Sequence, residues 1–143
     1  MDGFRFSEDL TVRFSETDAQ GIANNAVYLN WFEVARVAYL ARFPGGYRGM
    51  IERGIEATTT ETHVRYRSPA RFDDRLRIHA RITEVRGARF RFEYGIERVS
   101  DPTGPVAEGW TAHATVDGSS LRPVRVPAWL VEAIERVERD ERS

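Results

Sequence analysis

The chain has 143 residues and a mass of 16.4 kDa, which is the size of one domain. It contains no cysteine, so disulfides, thiolate metal sites and a cysteine nucleophile are excluded. All 21 basic residues are arginine, and 22 acidic residues bring the net charge to −1. This balance argues against a dedicated nucleic-acid-binding protein, and the lack of lysine excludes a lysine Schiff base.

The N-terminal segment MDGFRFSEDLTVRF is charged throughout and lacks the apolar stretch of a signal peptide. No part of the chain approaches the roughly 20 apolar residues that cross a bilayer. We therefore expect a single domain over residues 1–143, located in the cytoplasm, with neither a membrane nor a nucleic acid as partner.

Alternation of apolar and polar residues predicts five strands. The first is centred on Leu10, Val12 and Phe14. Four more are predicted at residues 57–67, 75–85, 89–99 and 106–116. Turn-forming residues at 86–88 and 101–105 join the last three as hairpins, so we expect these strands to be antiparallel.

The alternation also assigns each side chain to a face of the sheet. The fourth strand turns Phe90, Phe92 and Tyr94 inward and its charged residues outward. In the fifth strand, one tryptophan and the alanines are assigned to the inner face and the polar residues to the outer face: Trp110, Ala112 and Ala114 against Thr111, His113 and Thr115. All three histidines of the chain therefore fall on outer faces, and we expect no metal site.

Residues 26–42, AVYLNWFEVARVAYLAR, contain no glycine or proline and predict a helix, with Asn24 or Asn25 as its N-cap. Its polar side chains follow one narrow stripe, which predicts that protein surrounds the helix on most sides. The first three members of that stripe are Asn30, Glu33 and Arg36. A short helix ending at Arg53 and an amphipathic helix, AWLVEAIERVERDE, beginning after Pro127 complete the predicted elements.

This order of elements indicates an α+β fold. We expect a five-stranded antiparallel sheet wrapped around one long central helix, followed by the C-terminal amphipathic helix. A single sheet of this kind leaves its edges and one polar, arginine-rich face uncovered. We therefore expect at least a dimer.

Functional side chains are densest at residues 15–25, SETDAQGIANN, between the first strand and the long helix. The start of a helix presents unpaired amide N–H groups and the positive end of the helix dipole, which together can hold a developing oxyanion. Asp18 offers a carboxylate as base or nucleophile for acyl transfer, and Gly21 allows a close backbone approach. On these residues alone, the alternative that Asp18 only caps a turn stays open.

The segment Val12–Arg36, VRFSETDAQGIANNAVYLNWFEVAR, resembles the opening motif of hotdog-fold acyl-CoA thioesterases of the 4-hydroxybenzoyl-CoA thioesterase type. The family pattern is T-D-x-x-G, a short loop and N-x-x-Y-L-x-x-F-E-x-A-R. The residues that match it are Thr17, Asp18, Gly21, Tyr28, Leu29, Phe32, Glu33, Ala35 and Arg36. The run Ser68–Ile78 resembles the family's second recognisable stretch. The resemblance implies the hotdog fold and an enzyme that hydrolyses an acyl-CoA thioester to a free acid and CoA, without a cofactor or a metal.

By the same resemblance, Asp18 is the catalytic carboxylate, which attacks the thioester carbonyl or activates water. The thioester oxygen would lie near the backbone N–H of Asn25, with Gly21 in the same loop, and the acyl group would enter between the protomers of a homodimer or homotetramer. The residues expected to bind the substrate are Thr17, Gln20, Asn24, Tyr28, Trp31 and Phe32. Some relatives carry tyrosine or histidine where this chain has Asn24 and Asn25, so an aliphatic or broad acyl preference is favoured over an aromatic one.

Arginine suits the phosphates of CoA because it binds phosphate oxygens bidentately. The resemblance places nucleotide binding at the hairpin 86–89, and alternation puts further arginines on the same outer face, where plain solvated surface is the competing interpretation. The candidate CoA contacts are Arg65, Arg67, Arg86, Arg89 and Arg91. Glu33, whose counterpart serves as base in a related branch, is instead expected to pair with Arg36.

Two other functions stay open at this point. A hotdog hydratase or dehydratase would pair a histidine with an acidic residue near the helix, where this sequence has no histidine. A non-catalytic acyl-CoA-binding module would bind the same ligands without cleaving them.

Overall fold

The computed structural model describes residues 1 and 3–139. Its strands are β1 (Phe6–Thr11), β2 (Ile55–Tyr66), β3 (Arg75–Arg86), β4 (Arg89–Arg98) and β5 (Asp101–Asp117). Its helices are α1 (Val27–Leu40), α2 (Gly46–Glu52) and α3 (Ala128–Arg139), and a 3₁₀ turn covers Phe14–Glu16. The last helix was predicted to reach Glu141, and residues 140 and 141 lie outside the described ones. None of these helices is long and apolar enough to cross a membrane.

The strands form one antiparallel sheet in the order β1-β3-β4-β5-β2, and α1 packs on one of its faces. Phe32 of α1 stacks on Tyr94 of β4, with ring centroids 4.2 Å apart and planes 6° from parallel. Tyr39, two turns further along the helix, meets Phe92 edge-on at 5.1 Å. The predicted α+β arrangement of one long helix on a five-stranded antiparallel sheet is confirmed.

The opposite face of the sheet carries arginines paired with carboxylates on neighbouring strands. Asp9 and Arg77 are register partners, with Arg77 Nε 2.8 Å from Asp9 Oδ1. Arg81 and Glu93 repeat this pattern between β3 and β4 at 2.7 Å. The Arg77 guanidinium lowers the pKa of the Asp9 carboxyl. The polar, arginine-rich outer face is therefore present as predicted, and its charges are largely neutralised across strands.

One histidine of this outer face is buried beneath the N-terminal segment. The ring of Phe4 lies 5.6 Å from that of His79, and His79 Nε2 lies 2.8 Å from the buried Glu97 carboxylate. Burial lowers the pKa of His79. His79 is on the outer face as predicted, although it is not exposed to solvent.

The predicted faces of β5 are wrong. Thr111 and His113 are 2% and 3% exposed and lie on the side of α1, whereas Trp110 lies on the outer face, stacked on His63 at 5.7 Å. Alanine fits either face, so alternation in this strand does not fix which face is buried. The close approach of α1 to Gly109 determines which face of β5 is buried.

Two element boundaries also differ from the prediction. β1 ends at Thr11, and Phe14 belongs to the 3₁₀ turn, where its side chain is 74% exposed. Residues 101–105 are part of β5, and the turn falls at residues 99–100. The register between β4 and β5 shifts twice beside this stretch, so its proline and glycine residues mark irregular pairing instead of a hairpin turn.

Within this chain α1 is covered on one side only, which differs from the predicted burial on most sides. Its sheet-facing side is buried, whereas Leu29, Val34 and Val37 are 41%, 44% and 53% exposed. An exposed apolar stripe of this kind is a candidate contact surface.

Gly109 allows α1 to approach β5 closely. A Cβ atom at this position would lie 2.2 Å from the His63 carbonyl oxygen and 2.9 Å from the ring of Phe32. We expect Gly109→Ala to lower the free energy of unfolding by roughly 1–3 kcal/mol, because neither neighbour can move without shifting a strand or the helix. Urea denaturation followed by circular dichroism measures the change.

Gly104→Ala is the matched control in the same strand, since the nearest atom to its added Cβ would be 3.8 Å away. Equal losses of stability in the two variants would contradict the steric explanation.

Candidate active site

The loop ahead of α1 is anchored by a buried carboxylate. Glu16 ends the 3₁₀ turn and is 8% exposed. It accepts the Arg13 backbone N–H at 2.8 Å and the Trp31 indole N–H at 3.1 Å. Because Trp31 belongs to α1, the second bond fixes the loop to the helix. This role of Glu16 was not predicted; the position of Glu16 directly before the Thr-Asp pair is the available signal.

Residues 17–23 form a tight hairpin that presents Asp18. The Asp18 N–H donates to the Ile22 carbonyl, and the Gly21 N–H donates to the Asp18 carbonyl, both at 2.9 Å. Gly21 has a φ of +79°, in the left-handed region that favours glycine. Among the described residues other than 20–22, no heavy atom lies within 4 Å of where its Cβ would be. The glycine is therefore required by the backbone conformation of the turn. It is not required to make room for another part of the chain.

The Asp18 side chain is exposed at the tip of this hairpin. Its Oδ1 accepts the Gln20 N–H at 2.8 Å, which is the turn-capping contact considered as an alternative. Its Oδ2 has no hydrogen-bond partner in the described part of the chain. One oxygen therefore orients the carboxylate while the other is available to a substrate. The neighbouring Thr17 hydroxyl donates to the Phe14 carbonyl at 2.7 Å and closes the preceding turn.

The predicted asparagine N-cap is wrong, because the N-cap of α1 is Ala26. Asn24 instead caps the turn that precedes α1. Its Oδ1 accepts the Ala26 N–H at 2.9 Å. The Tyr66 hydroxyl donates to the Asn25 carbonyl at 2.8 Å, so the peptide unit between Asn25 and Ala26 is held at both ends. The Asn25 N–H has no acceptor among the residues described. It is therefore available at the positive end of the helix dipole.

A hollow of about 270 Å³ lies beside this helix start. Its lining includes Asn25, Tyr28 and Tyr66. Burial raises the pKa of Tyr28, so its hydroxyl stays protonated. Trp31 and Phe32, which were also predicted to contact the substrate, are 1% and 0% exposed and pack in the core of this chain.

The arginines predicted to bind CoA fall into two groups. Arg86, Arg89 and Arg91 line a hollow of about 230 Å³ at the β3–β4 turn, whereas Arg65 and Arg67 lie at the end of β2. Arg67 and Arg91 each form an ion pair with a glutamate. Arg86 and Arg89 form no ion pair with any described residue, so their guanidinium groups are the more available to a phosphate.

The predicted ion pair between Glu33 and Arg36 is present, with Oε2 and Nη2 3.8 Å apart. Arg36 makes its hydrogen bond to the Tyr94 hydroxyl, at 3.0 Å. From Tyr94 the hydrogen bonds continue through Thr111 to His113, over 2.6 Å and 2.7 Å. This buried polar chain from Arg36 to His113 was not predicted, because Thr111 and His113 were assigned to the outer face.

Solved structures share this architecture. The protein TT1821 of Thermus thermophilus, described as hypothetical, gives a TM-score of 0.83 at 30% identity, over 92% of this chain and 98% of that chain. A thioesterase of the same species, complexed with coenzyme A and zinc, gives 0.82 at 25% identity, over 98% of both chains. The predicted hotdog fold is confirmed.

The sequence defines the family. Residues 12–134 match the thioesterase-like superfamily. The acyl-CoA thioesterase YbgC of Haemophilus influenzae is 31% identical over 85% of this chain and 88% of its own length. This chain therefore belongs to the thioesterase-like superfamily, and the family resemblance of its opening motif is confirmed.

The polar chain gives the protein a specific dependence on pH. Burial, with a smaller contribution from the charge of Arg36, lowers the pKa of His113 from 6.5 to about 3. Between these two pH values the unfolded chain binds a proton at this residue and the folded chain does not. His113 therefore makes the fold less stable as the pH falls through this window, by up to about 1.4 kcal/mol per pH unit.

We expect His113→Gln to flatten the dependence of the unfolding free energy on pH across this window, whatever its effect at neutral pH. Urea denaturation of both proteins over a pH series measures the two slopes. Parallel curves would show that the folded state binds the proton as readily as the unfolded one.

Proposed function

We propose that this protein hydrolyses acyl-CoA thioesters to a free acid and CoA, with the Asp18 carboxylate as the reacting group and the Asn25 N–H as oxyanion donor. Thioester hydrolysis is the activity of its family. One observation supports these two roles. A single anchored loop carries both an exposed carboxylate oxygen without a partner and, at the start of α1, an N–H without an acceptor among the described residues.

The chemistry follows from these two groups. The thioester carbonyl oxygen accepts the Asn25 N–H, and the helix dipole adds to the stabilisation as negative charge develops there. Asp18 Oδ2 either attacks the carbonyl carbon, giving an anhydride that water cleaves, or removes a proton from an attacking water. Both routes break the C–S bond, consume one water and release a carboxylic acid and the CoA thiol.

We infer that a second copy of the chain completes the site. β2 is a 12-residue edge strand whose outer edge is unpaired within the described chain, and such an edge can pair with the same strand of another copy. The exposed stripe of Leu29, Val34 and Val37 on α1 supports the same arrangement. A homodimer, or a homotetramer built from it, would cover both surfaces. Sedimentation equilibrium that returned only the 16.4 kDa mass of one chain at assay concentrations would contradict this assembly.

Arg86 and Arg89 are the proposed contacts of the CoA phosphates. Both lie at the β3–β4 turn beside open solvent, where a guanidinium can reach a phosphate at a small desolvation cost. Arg65, Arg67 and Arg91 are further candidates, although two of them are already paired with glutamates.

Asp18→Asn tests the proposed reacting group. Asparagine retains an Oδ1 for the Gln20 N–H but is neither a base nor a nucleophile. We expect kcat to fall by roughly 10²–10⁴-fold, with an unchanged unfolding curve. Thiol release from acetyl-, octanoyl-, palmitoyl- and benzoyl-CoA measures turnover across short, long and aromatic acyl groups.

Asp101→Asn is the control, because this exposed carboxylate accepts hydrogen bonds from Thr103, two residues further along β5, with the hydroxyl at 2.6 Å. It should keep the wild-type kcat. Near-wild-type turnover by Asp18→Asn would exclude the proposed role. If wild-type protein cleaved none of the esters while they raised its Tm, the non-catalytic binding module would be the correct function.

The double variant Arg86→Gln/Arg89→Gln tests the CoA contacts. We expect its KM for octanoyl-CoA to rise about tenfold through the loss of charge-assisted hydrogen bonds. Its KM for S-octanoyl-N-acetylcysteamine, which lacks the nucleotide, should not change. Arg122→Gln is the exposed control. An equal rise in KM for both substrates would show that these arginines do not bind the nucleotide.

A further inference from the structure

A second cleft, of about 380 Å³, lies between α1, α2 and the inner face of the sheet. We call it the α1–α2 cleft. Its lining includes Arg36, Val37, Tyr47, Thr59, Phe90 and His113. It shares no lining residue with the hollow beside the helix start. Most of its wall is apolar, so the few polar groups that face it decide what it can bind.

The buried polar chain has a fixed direction. Arginine can only donate, so the Tyr94 hydroxyl accepts from Arg36; Thr111 is the only described acceptor for the hydrogen of this buried hydroxyl, and Tyr94 therefore donates to Thr111. Thr111 then donates to His113 Nε2, which is an acceptor in the neutral ring. The proton on Nδ1 consequently points to the Thr59 hydroxyl oxygen, 3.3 Å away.

Thr59 is the last residue of the buried polar chain, and its hydroxyl hydrogen is not used in a hydrogen bond within that chain. Its oxygen already accepts from His113, and the hydroxyl has no acceptor among the described residues. Thr59 is an exposed residue of β2 that lines the α1–α2 cleft, so the polar chain presents a hydrogen-bond donor at a largely apolar wall. A bound molecule that offers an acceptor oxygen at this point satisfies that donor, whereas a plain hydrocarbon that displaces solvent from the hydroxyl leaves it unpaired.

Arg36 adds a second donor to the same cleft. Its described hydrogen bond uses Nη1 alone, which leaves other guanidinium N–H groups for a ligand. Glu33 supplies the opposite charge at 3.8 Å. Because the positive charge already has a carboxylate beside it, the arrangement favours a neutral oxygen over a second carboxylate.

We propose that the α1–α2 cleft binds a hydroxyl or keto oxygen carried by the substrate's acyl chain, with Thr59 and Arg36 as donors. This inference rests on the proposed thioesterase function, because the acyl group must be held at its thioester end by the Asp18 loop. Arg36 comes 11 residues after Asn25 in the sequence, which corresponds to about 16 Å along the axis of a helix. An oxygenated aliphatic chain spans this distance, whereas a compact acyl group does not.

The test compares acyl-CoA pairs that differ by one oxygen: octanoyl-CoA with ω-hydroxyoctanoyl-CoA, and dodecanoyl-CoA with ω-hydroxydodecanoyl-CoA. We expect the hydroxylated member of at least one pair to have a kcat/KM about tenfold higher in the wild type. Thr59→Val keeps the β-branched shape and removes the hydroxyl. It should reduce this preference to near parity, because the unmodified chain then no longer leaves a donor unpaired.

Thr58→Val is the matched control on the neighbouring residue of the same strand, which does not line the cleft, and it should keep the full preference. A urea unfolding curve that matches the wild-type curve shows that Thr59→Val is folded. A wild type with no preference in either pair, or a preference retained by Thr59→Val, would overturn the proposal. An equal preference for the matching ω-carboxyacyl-CoA would overturn the assignment of a neutral oxygen.

Equilibrium binding separates this proposal from the proposed function. The same CoA pairs are titrated calorimetrically into Asp18→Asn and into Asp18→Asn/Thr59→Val. Tighter binding of the hydroxylated member that disappears with Thr59 supports the cleft as a subsite, even if the wild type cleaves none of the esters. Hydrolysis of every ester with equal affinity within each pair would refute the subsite and leave the thioesterase function intact.

Discussion

The close contact between α1 and β5 at Gly109 is the constraint on which the rest of this structure depends. Phe32 packs directly over that glycine and stacks on a tyrosine of β4, so the helix cannot slide or rotate without losing both contacts. Because α1 is fixed, its first residues are fixed as well. The hydrogen bond from Trp31 to Glu16 then holds the loop that carries Asp18. Core packing therefore positions the carboxylate relative to the amide at the helix start.

Periodicity predicted most of the elements because β3 and β4 alternate large apolar side chains with charged ones, as Phe90 and Phe92 show. Such a pattern permits one assignment of faces. Periodicity gave the wrong faces in β5, where alanine alternates with threonine and histidine. Alanine fits either face, and buried Thr111 and His113 are tolerated once each polar atom has a partner. The contact with Thr59, 54 residues away, is what satisfies the imidazole, and no local pattern contains it.

The candidate site was predictable where it is local. Asp18 and the helix start lie within one short motif that the family resemblance singles out, whereas residue types and spacing alone left the turn-capping role of Asp18 open. The groups that hold this motif in place come from further along the chain. The Tyr66 hydroxyl that fixes the Asn25 carbonyl is 41 residues away. Glu16, adjacent to the motif, is recognisable as an anchor only when its partner on α1 is known.

The buried polar chain between Arg36 and His113 is not explained by stability. Every buried side-chain nitrogen and oxygen in the described part of the protein has a hydrogen-bond partner. The buried polar chain therefore has no unsatisfied group that would destabilise the fold. Apolar residues of the same volume would nevertheless stabilise the fold at least as well, and the neutral imidazole weakens it in acid. The buried polar chain does provide a pre-oriented hydrogen-bond donor at Thr59. A site built to pair such a donor rejects a ligand that lacks the acceptor far more strongly than an apolar wall rejects an added hydroxyl. The proposed discrimination between acyl chains accounts for a polar network in this part of the core.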